Sequence, residues 1–116
     1  MIVLPTIKER NDVMNAAYGK LAPTKLERHK GICDEINELY RRKNHDYGDS
    51  FHQTFLEEGF AMSRIRLSDK LSRFKTLSRK DKAEVNDESL RDTLIDLANY
   101  AIMTIVEMEV AGNDGK

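Results

Sequence analysis

The chain has 116 residues, of which 40% are apolar and 34% charged, and its formal net charge is −1. That length holds one domain with one modest core, and the near-neutral balance excludes a global pull towards nucleic acid or anionic membrane. The single cysteine, Cys33, excludes an intrachain disulfide and a thiolate metal cluster.

Pro and Val are scarce while Leu, Ala, Glu, Lys and Arg are common, a balance that favours helices over strands. No apolar run approaches the roughly 18 residues of a membrane span, and Met1 to Pro5 is too short for a signal peptide. The expectation is a cytoplasmic, single all-α domain over residues 1–116, a compact helical bundle of four to five helices.

In chain order, Pro5-Thr6 reads as a helix start. Ile7 to Tyr18 is a loosely amphipathic first helix with Val13, Met14 and Ala17 inward. Gly19 and Pro23 bracket a turn, which closes an N-terminal helix-and-turn segment over 1–22. Thr24 caps a second helix to about Asn44, with a stripe of Ile32, Ile36 and Leu39 that Gly31 threatens to interrupt. Asn44 to Ser50 reads as a loop or tight turn. Phe51, Phe55 and Leu56 give a short helix that stops at Gly59, and a fourth helix runs from Ala61 to about Leu77. Ser78 to Glu84 is a charged linker. Val85 and Leu90 flank an Asn86 cap as a hydrophobic staple. The last and longest helix spans Asp87 to about Ala111, and residues 112–116 form a frayed tail.

That last helix carries the sharpest signal. Leu90, Leu94, Leu97, Ala101, Ile105 and Met108 recur at helical spacing as a core stripe, and Ile95, Ile102 and Val106 cover much of the opposite side. Between them Asp92, Asp96 and Asn99, at i, i+4 and i+7, form one polar line. A carboxylate with apolar flanks needs a positive partner, either a divalent cation or a cluster of Arg and Lys.

Three further groups carry candidate chemistry. Glu35 and Glu38 sit at i, i+3 on the second helix, and facing Asp92 and Asp96 they would form an all-oxygen cage suited to Mg²⁺ or Mn²⁺. Alternatively both are solvated helix charges, with Glu38 pairing to Arg42. Lys43, Asn44, Asp46 and Tyr47 crowd around the expected turn at Gly48, as ligand-binding groups or as a simple helix stop with Tyr47 as an anchor. Arg66, Lys70 and Arg73 share a face of the fourth helix, as a cationic stripe for phosphates or as solvated charge. His29 and His52 lack ligand spacing and read as packing or surface residues. No nucleophilic triad, zinc signature or Gly-rich phosphate loop is present.

The runs Lys43-Asn44-x-Asp46-Tyr47-Gly48-x-Ser50-Phe51, Arg66-x-x-Asp69-Lys70-x-x-Arg73 and Asp92-x-x-x-Asp96-Leu-Ala-Asn99-Tyr100 resemble the nucleotide modification associated domain family of bacteria and their phages. More distantly, the plan is similar to MazG-like all-α nucleotide pyrophosphohydrolases. Glu35-x-x-Glu38 matches their first acidic motif and Asp96 the end of their second, where Thr93 stands in place of an acid. The resemblance implies a Mg²⁺-dependent nucleotide pyrophosphohydrolase, with deoxynucleoside triphosphates as substrate. Glu35, Glu38, Asp92 and Asp96 would be metal-holding catalytic residues, with Mn²⁺ as a substitute ion. Lys43, Asn44, Asp46, Tyr47, Arg66, Lys70, Arg73 and Asn99 would bind substrate. It also implies a homo-oligomer, dimer or tetramer, in the cytoplasm of a bacterial or phage-infected cell. The rival readings are a non-catalytic nucleotide-binding or protein-interaction bundle and, further off, a nucleic-acid-associated protein acting through Arg64 to Lys82. The acid line speaks against the last, since carboxylates repel phosphate unless a cation intervenes.

Overall fold

The computed structural model describes residues 6–18, 22–79 and 87–114. The chain is all-α. Its helices are α1 (Ile7–Tyr18), α2 (Lys25–Tyr47), α3 (Ser50–Glu58), α4 (Phe60–Leu77) and α5 (Asp87–Asp114), with no strand among the described residues. They fall into two compact units, Met1–Glu35 and Ile36–Lys116, whose boundary lies within α2.

In the first unit, local capping chemistry starts both helices. The Glu9 amide donates to the Thr6 hydroxyl at 3.1 Å. At the start of α2, the Glu27 amide donates to Thr24 Oγ1 (3.1 Å) and the Thr24 amide to Glu27 Oε1 (2.9 Å). This reciprocal pair satisfies two orphan donors of the first turn. α2 then runs unbroken through Gly31. One glycine costs about 1 kcal/mol in a helix interior, too little to break a capped helix of 23 residues. Val13, expected inward, is exposed. The side chains of Met14 and Ala17 and the turn residues Gly19 to Leu21 lie outside what the structure describes.

The second unit holds the helical pair α4 and α5, with α3 against α4. α2 continues three residues past the expected stop, so Asn44, His45 and Asp46 are helical and only Gly48 and Asp49 form the turn. Gly48 (φ 66°) and Gly59 (φ 64°) bracket α3 in the left-handed region, which glycine enters without the cost a Cβ imposes. The Gly59 amide closes α3 by donating to the Phe55 carbonyl at 2.7 Å. α4 ends where the Ser78 amide donates to the Phe74 carbonyl at 2.9 Å. The expected staple at Val85 and Asn86 and the linker from Lys80 lie outside the described residues. The frayed-tail expectation is corrected in part, since α5 extends through Gly112 to Asp114.

α4 and α5 pair antiparallel, and the register can be followed side chain by side chain. The Ser63 and Thr104 hydroxyls hydrogen-bond at 2.9 Å. The Arg66 guanidinium carbon lies 6.0 Å from the Tyr100 ring centroid. Lys70 Nζ meets Asp96 Oδ2 at 3.0 Å, and Arg73 Nε donates to Thr93 Oγ1 at 3.2 Å. Steps of three or four residues along α4 are matched by steps of three or four back along α5. The seam is therefore polar, with Ile36, Met62 and Ile95 as the buried apolar core.

This orientation corrects the expected core stripe of α5. Ile95 is buried and Leu90, Leu97 and Val106 are half-buried, but Leu94, Ala101, Ile102, Ile105 and Met108 are exposed. The reason lies in α4. Its facing row meets Asp96 through Lys70, Thr93 through Arg73 and Thr104 through Ser63, and turning the apolar stripe inward would strand those groups.

Candidate functional site

A cavity of about 300 Å³ opens in the second unit. Tyr40, Lys43 and Asn44 of α2 form one side, and Ser50, Phe51 and Thr54 of α3 another, with Gly48 at the turn between them. Met62 and Arg66 come from α4; Asp96, Asn99, Tyr100 and Met103 come from α5. Helical spacing explains the α5 set, because 96, 99, 100 and 103 share one face.

The walls divide by chemistry. The Phe51 and Tyr100 rings lie 6.1 Å apart at 19° to each other, a stacked aromatic pair from two helices. Among the described residues, Lys43 and Arg66 are the cations lining the cavity and Asp96 is its one carboxylate. Asp96 is held by Lys70, so its charge is matched from the α4 side. Asn99 is only 7% exposed. Among the described residues its carboxamide has no hydrogen-bond partner, and the cavity is the space it faces. Burial pushes the Tyr40 phenol above its usual value, helped by the Asp49 and Glu107 carboxylates. Tyr40 therefore faces the cavity as a neutral hydroxyl.

The residues singled out from the sequence are distributed unevenly. Lys43, Asn44, Arg66, Asp96 and Asn99 come together at the cavity. Lys70 and Arg73 are turned onto Asp96 and Thr93 instead. Asp92 is exposed outside the lining set, and so is Asp46, whose carboxylate meets its neighbour His45 at 3.3 Å. Tyr47 ends α2, and its side chain lies outside what the structure describes. Glu35 is exposed in the first unit. Glu38 is exposed and bidentate to Arg41 (2.6 and 3.0 Å), with Arg42 at 3.9 Å. The Arg41 guanidinium holds the Glu38 carboxyl below the usual carboxylate range.

Several contributors carry only a faint sequence signal. Thr93, 2% exposed, takes the Arg73 bond and donates to the Ser89 carbonyl at 2.9 Å. Glu107, 6% exposed, pairs with His52 Nδ1 at 2.5 Å and ties α3 to α5. The two lie 55 residues apart, so no local spacing links them. Mutual helical spacing with Asn99, Tyr100 and Met103 was the one cue that Glu107 faced inward.

Residues 43–108, more than half of the chain, match the nucleotide modification associated domain 1 family. The chain belongs to that family. No curated protein and no solved structure gives a significant match. The matched span begins at Lys43, so it contains every residue that lines the cavity except Tyr40. Among the described residues, no helix is long and apolar enough to cross a membrane.

Proposed function

We propose that the cavity binds a nucleotide, with the base against Phe51 and Tyr100, the phosphate on Lys43 and Arg66, and Asn99 as the group that reads a polar edge. The observation that carries this reading is Asn99, a nearly buried carboxamide on the cavity wall without a partner among the described residues. No polar side-chain atom is sealed away without a partner among the described residues, so the Asn99 amide is open to what enters the cavity. A ligand offering both a donor and an acceptor, as every nucleobase edge does, satisfies it. Aromatic rings beside a base, and cations beside a phosphate, supply the remaining contacts. Isothermal titration of the full chain with a nucleotide panel tests the reading. Saturable binding weakened at least tenfold by Asn99→Leu supports it, and no binding to any nucleotide contradicts it.

Turnover as a pyrophosphohydrolase asks more of the site. It requires a divalent cation held by Glu35, Glu38, Asp92 and Asp96. Glu38 is occupied by Arg41 and Asp96 by Lys70, and Asp92 does not line the cavity. Among the described residues no group of three or more His, Cys, Asp or Glu side chains could hold a metal ion. The donor set does not fit the ion, and no hydrolytic step is built on it. Binding is the activity the geometry supports.

Self-association belongs to the same proposal. The exposed residues Leu94, Ala101, Ile105 and Met108, seven, four and three residues apart, share one face of α5 as a helix–helix seam does. A second copy of the chain, paired antiparallel through α5, would set Leu94 opposite Met108 and bring Arg91 near Glu109 and the carboxyl end of the partner helix, where positive charge is favoured.

A further inference from the structure

Resting on the nucleotide reading above, we propose that the ligand is a nucleoside monophosphate, and that the register of α4 on α5 sets this limit. From the sequence, Arg66, Lys70 and Arg73 form one cationic row long enough for a phosphate chain. The structure divides that row. Only Arg66 lines the cavity, while Lys70 is committed to Asp96 at 3.0 Å and Arg73 to Thr93 at 3.2 Å.

The charges at the cavity are then Lys43, Arg66 and an Asp96 already neutralised by Lys70. Two positive charges match one phosphate, which carries about two negative charges near neutral pH. A triphosphate brings more negative charge to a site with no third cation among its lining residues, and it brings that charge towards the Asp96 carboxylate. Recruiting Lys70 for it would leave Asp96 half-buried and unpaired, which costs more than the new contact returns. The volume agrees. About 300 Å³ lies at the small end of ligand cavities, which suits a base, a sugar and one phosphate.

The domain thus works at the level of nucleotides carrying one phosphate, as a binder of such compounds. It would act before a phosphorylating reaction or after a phosphate-removing one.

Titration of the full chain with the four deoxynucleoside 5′-monophosphates, their di- and triphosphates and the parent nucleosides decides this, each with and without magnesium chloride. The expected order is monophosphate tighter than triphosphate by about tenfold, with nucleosides weaker again and magnesium without effect on the monophosphate. Arg66→Met and Lys43→Met should each weaken monophosphate binding at least tenfold at an unchanged melting temperature, which separates phosphate loss from misfolding. Inorganic phosphate alone should compete only weakly. A triphosphate that binds as tightly as the monophosphate or more tightly, in either buffer, overturns the proposal and leaves the nucleotide reading standing. Failure of every nucleotide to bind overturns both.

Discussion

Asn99 and Lys70 are polar residues on the same helical seam, and their substitution should have different consequences. Asn99 contributes a carboxamide that finds no partner among the described residues, although it is only 7% exposed. Replacing it with leucine of similar shape should change stability by less than about 0.5 kcal/mol, because its polar atoms bond no other residue and are not sealed from water. Nucleotide binding should fall at the same time. Urea denaturation read beside titration checks both halves, and a destabilised variant would show that the amide is satisfied by the fold. Lys70 behaves differently because its ammonium compensates Asp96. Lys70→Ala should lower stability by about 1–2 kcal/mol, since both groups are mostly shielded from water. A double-mutant cycle with Asp96→Ala should return a coupling of about 1 kcal/mol, and additive losses would mean that the two side chains are merely near each other.

At the scale of single helices, α3 is lightly anchored at the cavity. It has no buried residue and is bracketed by two left-handed glycines. Its attachments are the Phe51–Tyr100 stack, the edge-on Phe55–Phe60 contact and the His52–Glu107 pair. His52→Ala leaves Glu107 buried without its imidazole, so about 1–3 kcal/mol should be lost. Amide exchange should rise along α3 before it rises along α4, and uniform exchange would remove α3 as a separately held element. Tyr40 adds a pH dependence. Its folded pKa is raised above the usual 10.0, so its contribution is complete below about pH 10 and is lost as pH rises through the higher folded value. Tyr40→Phe should flatten that alkaline decline in the urea midpoint, and an unchanged slope would assign the decline to other groups.

The helices themselves were legible in the sequence, for local reasons. Thr24 with Glu27 forms a capping box, and Gly59 ends α3 where its periodicity stops. What periodicity did not decide was which face of α5 turns inward. An apolar stripe and a polar line lie on the same helix, and hydrophobicity alone favours the stripe. The answer depended on the polar row of α4, a partner known only once the two helices are paired. The same gap hid Thr93 and Glu107, whose importance comes from Arg73 and His52 on other helices. Lys43, Asn44 and Gly48 are neighbours in sequence and remain neighbours at the cavity, although α2 runs through Tyr47 where a loop was expected.

For the whole molecule, the expected partner of the exposed α5 face is a second copy. Leu94, Ile102, Ile105 and Met108 are each between 42% and 54% exposed, enough apolar surface on one helix to drive association. Sedimentation at micromolar concentration should show a dimer or larger species, and Ile105→Glu should shift it to monomer with little loss of helicity. A wild-type monomer would remove the self-association proposal and leave the cavity, which is lined by one chain, untouched. Whether this cavity is a nucleotide site with Arg66 on the phosphate is decided by titrating one deoxynucleoside monophosphate into wild-type protein and into Arg66→Met. One saturable site per chain is expected in the wild type, with at least tenfold weaker binding in a variant that melts at the same temperature. Equal binding by both proteins, or binding by neither, would contradict that assignment.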